Sequence, residues 1–419
     1  MISFKLISVL SLTYSSSFFE DFYKINLSGG LYFMMILDEP YVSTFLLKTA
    51  RDMDIPVLNC SNVRELIPLT ELKTVDENEF MIRANTNSPL LLYCNSENSF
   101  QWINKNLKYT KIPSAIEMFK DKVTFRKLVK EIYPYFLFKE VSYEQLSKFD
   151  TTKIKKPFII KPAIGFFSMG VHKVNRDNEW EAIIDLIQDE MDKVKGLYPT
   201  EVMNSSKFII EEYIEGPEYA IDAYYDSNGD PVILNILEHP FSSNGDVSDR
   251  IYFTSKKIIK KYLIAFRDVL MSIGNASGIS NFPVHMEVRV DKSGNVIPIE
   301  VNPMRFAGWC TTDIAYYAYG INVYENYFYQ KRPDWDQILK TDDNKLYCIV
   351  VADIPGDINF KNIKGINYDA YLSNFSNILE FRKIDYKQYP VFAFSFISVE
   401  CNSNEVDKIL KLDLRQYIY

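Results

Sequence analysis

From residue 32 the apolar and polar positions of the chain fall into two alternating periods. Residues 32–37 (YFMMIL) form a continuous apolar run. Residues 43–54 (STFLLKTARDMD) carry apolar side chains at three-to-four spacing, and residues 55–59 (IPVLN) are apolar again. Strand, helix, strand is the reading, and a further apolar run at residues 89–95 (PLLLYCN) extends it to an open α/β domain over residues 34–111. Helical spacing returns from residue 112 to about residue 141, through AIEMFKDKVTFRKLVKEI. Residues 158–174 read as strand, glycine loop, strand. A helix at 179–195 and the strand FIIEEYI at 208–214 follow. Residues 218–226 and 231–239 make a strand pair around a turn at 227–230. Residues 254–277 are an amphipathic helix with Ile258, Ile259, Tyr262, Leu263, Phe266, Val269, Leu270 and Ile273 on one side. The last segment, 345–419, has two strands (LYCIVVADI and VFAFSFISVE) and a terminal helix, and reads as a small α+β subdomain. Residues 1–33 stand outside this pattern as an extension. It loosely imitates a signal peptide but is too short to span a bilayer.

The segment richest in chemistry is PVHMEVRVDKSGNVIPIEVNPMRFAG, residues 283–308. It reads as two strands around a Ser293-Gly294 turn. A loop centred there places Glu287 opposite Glu300 and His285 opposite Asn302. Facing carboxylates repel. The pairing makes sense if a divalent cation lies between them. Mg²⁺ suits such oxygen ligands and commonly binds one or two carboxylates plus nucleotide phosphates. A solvated hairpin with two surface glutamates is the bland alternative.

Composition narrows the classes. The 419 residues suffice for two or three domains, and 47% apolar with 24% charged residues is ordinary for a globular protein. A net charge of −8 argues against a general nucleic-acid binder. The five cysteines (Cys60, Cys94, Cys310, Cys348, Cys401) form no CxxC pair and fit free thiols in a reducing compartment. Three histidines without HxH or HExxH spacing do not suggest zinc.

Three other pieces bear on a nucleotide. In FIIKPAIGFFSMGV (158–171), Lys161 ends an apolar strand just before a loop with Gly165, Ser168 and Gly170. Glycines let backbone N–H groups approach phosphate oxygens, although such a loop by itself is most often only a turn. In FIIEEYIEGPE (208–218), the backbone near Glu212, Tyr213 and Ile214 can meet adenine, and Glu218 can accept from ribose hydroxyls. Solvated carboxylates explain that piece equally well. Lys122, beside Lys120 and Asp121, is a second candidate cation or simply part of a lysine cluster.

Taken in order, DKVTFR (121–126), FIIKPAIGFFSMGV, EEYIEGPE (211–218) and HMEVRV with IEVNPMRFAG (285–290 and 299–308) resemble the ATP-grasp superfamily over roughly residues 35–330. The resemblance implies the ATP-grasp fold, with α/β and α+β parts. A pre-ATP-grasp domain at 34–111 would precede an ATP-grasp domain of two lobes at 112–330. It puts Lys122 and Lys161 on ATP, the Gly165–Gly170 loop over its phosphates, and Glu211 with the backbone to Ile214 at adenine. Glu218 would then meet the ribose, and Glu287, Glu300 and Asn302 would ligate Mg²⁺, or Mn²⁺ in its place. Many members read E-x-N-P-R, whereas this chain reads Glu300-Val-Asn-Pro-Met304-Arg305. RFAGW at 305–309 is similar to the stretch in bacterial L-amino acid ligases of the bacilysin-synthetase type, which makes Arg305 the expected catalytic residue beside Lys161. The function implied is ATP-dependent joining of a carboxylate to an amine in the cytoplasm, without nucleic-acid or membrane partners, and with a homodimer left open. A carboxylate–thiol ligase and a non-catalytic ATP-binding scaffold are the alternatives. Three further expectations are looser. His285 either faces the metal or packs in the hairpin, Arg250 would hold a substrate carboxylate, and Trp309, Thr311, Thr312 and Asp313 would shape the acceptor pocket.

Overall fold

The structure is a computed structural model that describes residues 32–59, 72–85, 89–165, 170–194, 204–242, 249–341 and 343–419. Three sheets organise it. The first is parallel: β1 (Tyr32–Ile36), β2 (Val57–Leu58), β3 (Thr74–Val75) and β4 (Leu90–Cys94), in the order β3-β2-β1-β4. The chain steps outward from β1 to β3 and then returns to the other side of β1. The carboxyl ends of β1 and β4 therefore flank the point where strand order reverses, the usual position of a site in an open α/β sheet.

The second sheet is antiparallel, in the order β5-β8-β6-β7: β5 (Phe138–Ser142), β6 (Phe158–Ile164), β7 (His172–Val174) and β8 (Asn204–Glu212). Phe158, Ile160, Phe208 and Ile210 point to one face, where Trp180, Ile183, Ile187 and Met191 of the helix Trp180–Val194 complete a core separate from the rest of the molecule. Alternation puts Ile159, Lys161, Ile209 and Glu211 on the opposite face. This lobe thus has its own core and turns a lysine and a glutamate toward the third sheet.

The third sheet has eight strands: β9 (Glu218–Tyr225), β10 (Pro231–His239), β11 (Ile251–Thr254), β12 (Phe282–Val290), β13 (Val296–Pro303), β14 (Lys345–Asp353), β15 (Ile378–Lys383) and β16 (Val391–Glu400). Their order is β13-β12-β9-β10-β11-β14-β16-β15. Ile221, Met286, Val288 and Val301 face the helix Lys256–Ser277, whose Ile259, Tyr262, Phe266 and Leu270 are buried against them. Ser255 caps that helix by accepting from the Ile258 amide at 3.2 Å, and Gly278 ends it at φ +64°.

Several expectations are refined here. The helical stretch from residue 112 is two helices, Ile112–Lys120 and Lys122–Leu128, because Asp121 caps the second by accepting from the amides of Val123 (2.9 Å) and Thr124 (3.0 Å). The chain then turns into β5 before residue 141. The 345–419 segment contributes β14, β15 and β16 to the large sheet, joined through β11, a strand within what read as loop and helix start. Arg250 is not turned to a substrate. It donates to Asp353 (3.1 Å) and to the Leu412 carbonyl (2.9 Å), tying that segment down. Cys94, Cys310 and Cys348 are buried free thiols, as their spacing suggested.

Arg382 of β15 makes the most buried of these ties, donating to Asp313 at 2.5 Å and Glu380 at 2.7 Å. Asp313 is 1% exposed. Replacing Arg382 with leucine leaves that carboxylate unpaired inside the protein, so we expect a loss of about 3–5 kcal/mol, read as a lowered denaturation midpoint in urea.

Candidate functional site

The site lies where the two antiparallel sheets turn their polar faces to each other. On the large sheet, β9, β12 and β13 align Glu218 with Arg289, Asp222 with His285, and Glu287 with Glu300, with His285 opposite Asn302. These side chains share a face because residues directly paired in an antiparallel ladder point the same way. The expected pairing of Glu287 with Glu300 holds, but the route to it differs. The loop is Asp291–Asn295, closed by Asp291 donating to the Asn295 carbonyl (3.0 Å), and near it Val290 pairs with Val296. A bulge then inserts Ile299 between Pro298 and Glu300 and restores the carboxylate pairing.

Charges in the cleft are interleaved. Lys122 reaches Glu300 at 2.8 Å, both side chains being largely buried. Lys161 (2.6 Å) and Arg126 (2.8 Å) converge on Glu211, which is 4% exposed. Arg126 also donates to the Pro298 carbonyl (2.7 Å) and lies 4.0 Å above the Phe136 ring, bridging the two lobes. Arg305 donates through Nε (3.1 Å) and Nη2 (2.9 Å) to Glu97, whose other oxygen is held by Lys120. Arg289 grips Glu218 at 3.0 and 2.9 Å and donates to the Ile214 carbonyl at 3.0 Å. Lys173 sits 3.7 Å above the Tyr213 ring.

The electrostatics follow from burial and these partners. Burial and then the charge of Glu300 push the Glu287 carboxyl well above the usual range. Burial acts the same way on Glu300, but Lys122, Lys161 and Lys120 outweigh it and hold that carboxyl far down. Glu211 is likewise pulled down to about 2 by Arg126 and Lys161 against the effect of burial. Burial lowers the Lys120 and Lys161 ammoniums, whereas Lys122 is raised because Glu300 overcomes its burial.

His285 is oriented. Its Nδ1 lies 2.8 Å from Asp222, a fully buried carboxylate that also accepts from the Ala307 amide (2.7 Å) and the Thr312 hydroxyl (2.7 Å). Its Nε2 lies 3.8 Å from Glu287. Of the two readings of His285, packed or facing the carboxylate pair, the geometry supplies both at once. Asn302 stands beside Glu300, its amide nitrogen 3.5 Å away. Among the described residues no group of three or more His, Cys, Asp or Glu side chains is spaced to hold a metal ion. Two carboxylates and an amide suit a hard cation that takes its remaining oxygens from water and phosphate. Burial and the facing Glu300 raise the Glu287 carboxyl, and a cation between the two would favour its charged form.

The expected residues that the structure describes fall as follows. Lys122, Lys161, Glu211, Glu287, Glu300 and Asn302 come together. Glu211 serves as the counter-charge of Lys161, with both oxygens taken by cations. The amide and carboxylate of Glu212 pair with the Leu137 backbone. Gly165 offers its carbonyl to Lys120 (3.0 Å), and Gly170, at φ +72°, donates its amide to Glu190 (2.9 Å). Ser168 lies outside the described residues, as do residues 1–31. Trp309 stacks on Tyr41 (5.9 Å) and meets Tyr389 and Phe394, whereas Thr312 and Asp313 are committed to Asp222 and Arg382. Sequence reasoning passed over Glu97, Lys120, Arg126, Asp222 and Arg289. Lys120, Arg126 and Arg289 lay within or beside quoted motifs, KDKVTFR and HMEVRV, whereas Glu97 and Asp222 carried no local signal.

No helix among the described residues is long and apolar enough to cross a membrane. A search of curated protein sequences gives no match. The family model described as ATP-grasp domain matches residues 154–313. Among solved structures, an L-amino acid ligase from Bacillus licheniformis is similar at TM-score 0.66 and 16% identity, covering 93% of this chain and 98% of that one. A biotin carboxylase from Campylobacter jejuni, solved as a β,γ-ATP complex, is similar at TM-score 0.59 and 12% identity over 87% of each chain. The N5-carboxyaminoimidazole ribonucleotide synthetase of Thermotoga maritima is similar at TM-score 0.59 and 12% identity, over 92% of this chain and 98% of that one. Likeness at such identities is likeness of fold. The chain therefore has the ATP-grasp fold, and its residues 154–313 match the model of an ATP-grasp domain.

Proposed function

We propose that this protein is an ATP- and Mg²⁺-dependent ligase that activates a carboxylate and joins it to an amine, with an amino acid as one substrate. The observation that carries the reading is the facing pair Glu287 and Glu300 set against Lys122 and Lys161 from the other side of one cleft. Glu287, Glu300 and Asn302 would hold the metal. Lys122, Lys161 and the Gly165–Gly170 segment would receive phosphates, the backbone from Glu212 to Ile214 the adenine, and Glu218 the ribose. Bound MgATP supplies the phosphoryl group that turns the carboxylate into an acyl phosphate.

The side chains supply charge and placement, which phosphoryl transfer needs more than covalent participation. Lys161 is fixed in depth by Glu211. Lys122 holds the charge of Glu300 here and becomes available to a phosphate oxygen once that carboxylate is neutralised otherwise. Displacement of phosphate by the amine would build an oxyanion, and Arg305 is the donor this reading assigns to it. Trp309, stacked on Tyr41, would shape the acceptor side of the site.

The experiment is phosphate release from MgATP across amino acids and amines, offered singly and in pairs. Release that requires a carboxylate–amine pair is the expected result. ATP turnover with a carboxylate and a thiol but no amine would replace this reading with a thiol ligase, and ATP binding without turnover in any pair would favour a scaffold. Arg305→Lys keeps the charge but loses the two-nitrogen grip on Glu97. Its expected cost is about 10²–10³ in kcat, measured under saturating MgATP.

A further inference from the structure

The residue before Arg305 is held from two sides. Met304 donates its amide to the Pro283 carbonyl at 2.9 Å on β12, and its carbonyl accepts from the Cys94 amide at 2.9 Å at the end of β4. Met304 adopts φ +63°, a conformation that non-glycine residues enter at a cost of order 1 kcal/mol or more. The strained residue sets the direction in which Arg305 leaves the sheet. Three residues beyond Cys94, on the short turn Glu97–Ser99, the chain supplies the carboxylate that receives the Arg305 guanidinium. The end of β4 therefore holds Met304 through backbone, and the turn after it holds Arg305 through a side chain.

Glu97 does more than pair. It is 7% exposed, with one oxygen on Arg305 and the other on Lys120. Lys120 in turn donates to the Gly165 carbonyl at 3.0 Å, where β6 gives way to the glycine segment. The unbroken chain Arg305–Glu97–Lys120–Gly165 joins three parts of the molecule: the large sheet, the parallel N-terminal domain and the small lobe. Burial disfavours the Glu97 charge, but Lys120 and Arg305 overcome this and keep the carboxyl below its usual range. It is a fixed anion between two cations.

We propose that Glu97 is a positioning residue: it sets where the Arg305 guanidinium stands and references that position, through Lys120, to the Gly165 carbonyl of the small lobe. Glu97 makes no hydrogen bond to a group assigned to nucleotide or metal, and the member of the proposed catalytic machinery that it contacts directly is Arg305. The role in turnover rests on the ligase reading, whereas the anchoring does not.

The test compares wild type with Glu97→Gln, Arg305→Lys and the double variant. Three quantities are read: the Arg305 Nε–H resonance (assigned by its loss in Arg305→Lys), MgADP affinity by calorimetry, and kcat with the carboxylate–amine pair that gives phosphate release. Glu97→Gln should move the Arg305 resonance and lower kcat by about 10²-fold, the scale on which small misplacements act. MgADP affinity should stay within about 2-fold of wild type, since the nucleotide groups are untouched. The double variant should lose no more than Arg305→Lys alone. Losses that multiply in the double variant would overturn the proposal, because Glu97 would then act independently of Arg305. A parallel fall in MgADP affinity would do the same. If wild type turns over no pair, the ligase reading fails and the resonance alone decides the anchoring; an unmoved signal refutes it. Should Glu97→Gln fail to fold, Glu97→Asp keeps the charge, withdraws it from the guanidinium, and is held to the same three criteria.

Discussion

Glu287→Gln and Glu300→Gln are expected to abolish MgATP-dependent phosphate release to the same degree while moving stability in opposite directions. Both remove a carboxylate from the proposed metal pair. Losing several kcal/mol of charge stabilisation in phosphoryl transfer corresponds to a rate loss of about 10³-fold or more. Stability separates them because the pair is asymmetric. Glu300 has Lys122 at 2.8 Å, so its replacement strands a buried ammonium. Glu287 stands directly opposite another carboxylate, and among the described residues its ion-pairing side chain is His285, 3.8 Å away. Replacing it removes a like-charge contact and should stabilise the metal-free protein by about 1 kcal/mol. Thermal unfolding in chelator measures this. Equal destabilisation by both substitutions would mean that the two carboxylates do not oppose each other as the register places them.

Glu211 carries the second large effect. Its carboxyl is pulled from 4.5 to about 2 in the folded protein, burial being outweighed by Arg126 and Lys161. The folded value lies below the unfolded one. The stabilisation is therefore complete above about pH 4.5 and is lost as pH falls toward 2. At about 1.4 kcal/mol per pH unit, the gap amounts to something on the order of 3 kcal/mol. Glu211→Gln should cost about 3–5 kcal/mol near neutral pH, because two buried cations lose their shared partner. It should also flatten the acid limb of stability between those two values. Urea midpoints measured from pH 2 to 7 supply both readings. Wild-type and variant curves that run parallel through the acid range would place the acid sensitivity elsewhere.

What the sequence disclosed and what it concealed divide along physical lines. Strict alternation made the β12–β13 hairpin readable, and with it the Glu287–Glu300 pairing. The sequence did not disclose that the turn is centred on Ser293, or that the extra residue Ile299 compensates for it. Two errors of half a step cancelled. The helix from residue 112 was legible as helix, but Asp121 acts as a cap there because its side chain meets two free amides, a local choice that periodicity does not encode. Arg250 looked like a loop cation because its partners, Asp353 and Leu412, lie more than a hundred positions away. Glu97 was invisible for the same reason, being 208 positions from Arg305. Glu211 was expected at adenine on its place in the motif. The sheet alternation that turns it to Lys161 and Arg126 gives it a different neighbourhood.

The central claim is that Glu287 and Glu300 hold a divalent ion together with a nucleotide in the cleft between the two antiparallel sheets. Titration of Mn²⁺ into protein with ADP, followed by electron paramagnetic resonance, tests it most directly. The account predicts that Mn²⁺ binds with ADP, that ADP binding weakens strongly in chelator, and that Glu287→Gln and Glu300→Gln each abolish the bound-metal signal. ADP binding that is indifferent to metal, or a bound-metal signal that survives both substitutions, would contradict it.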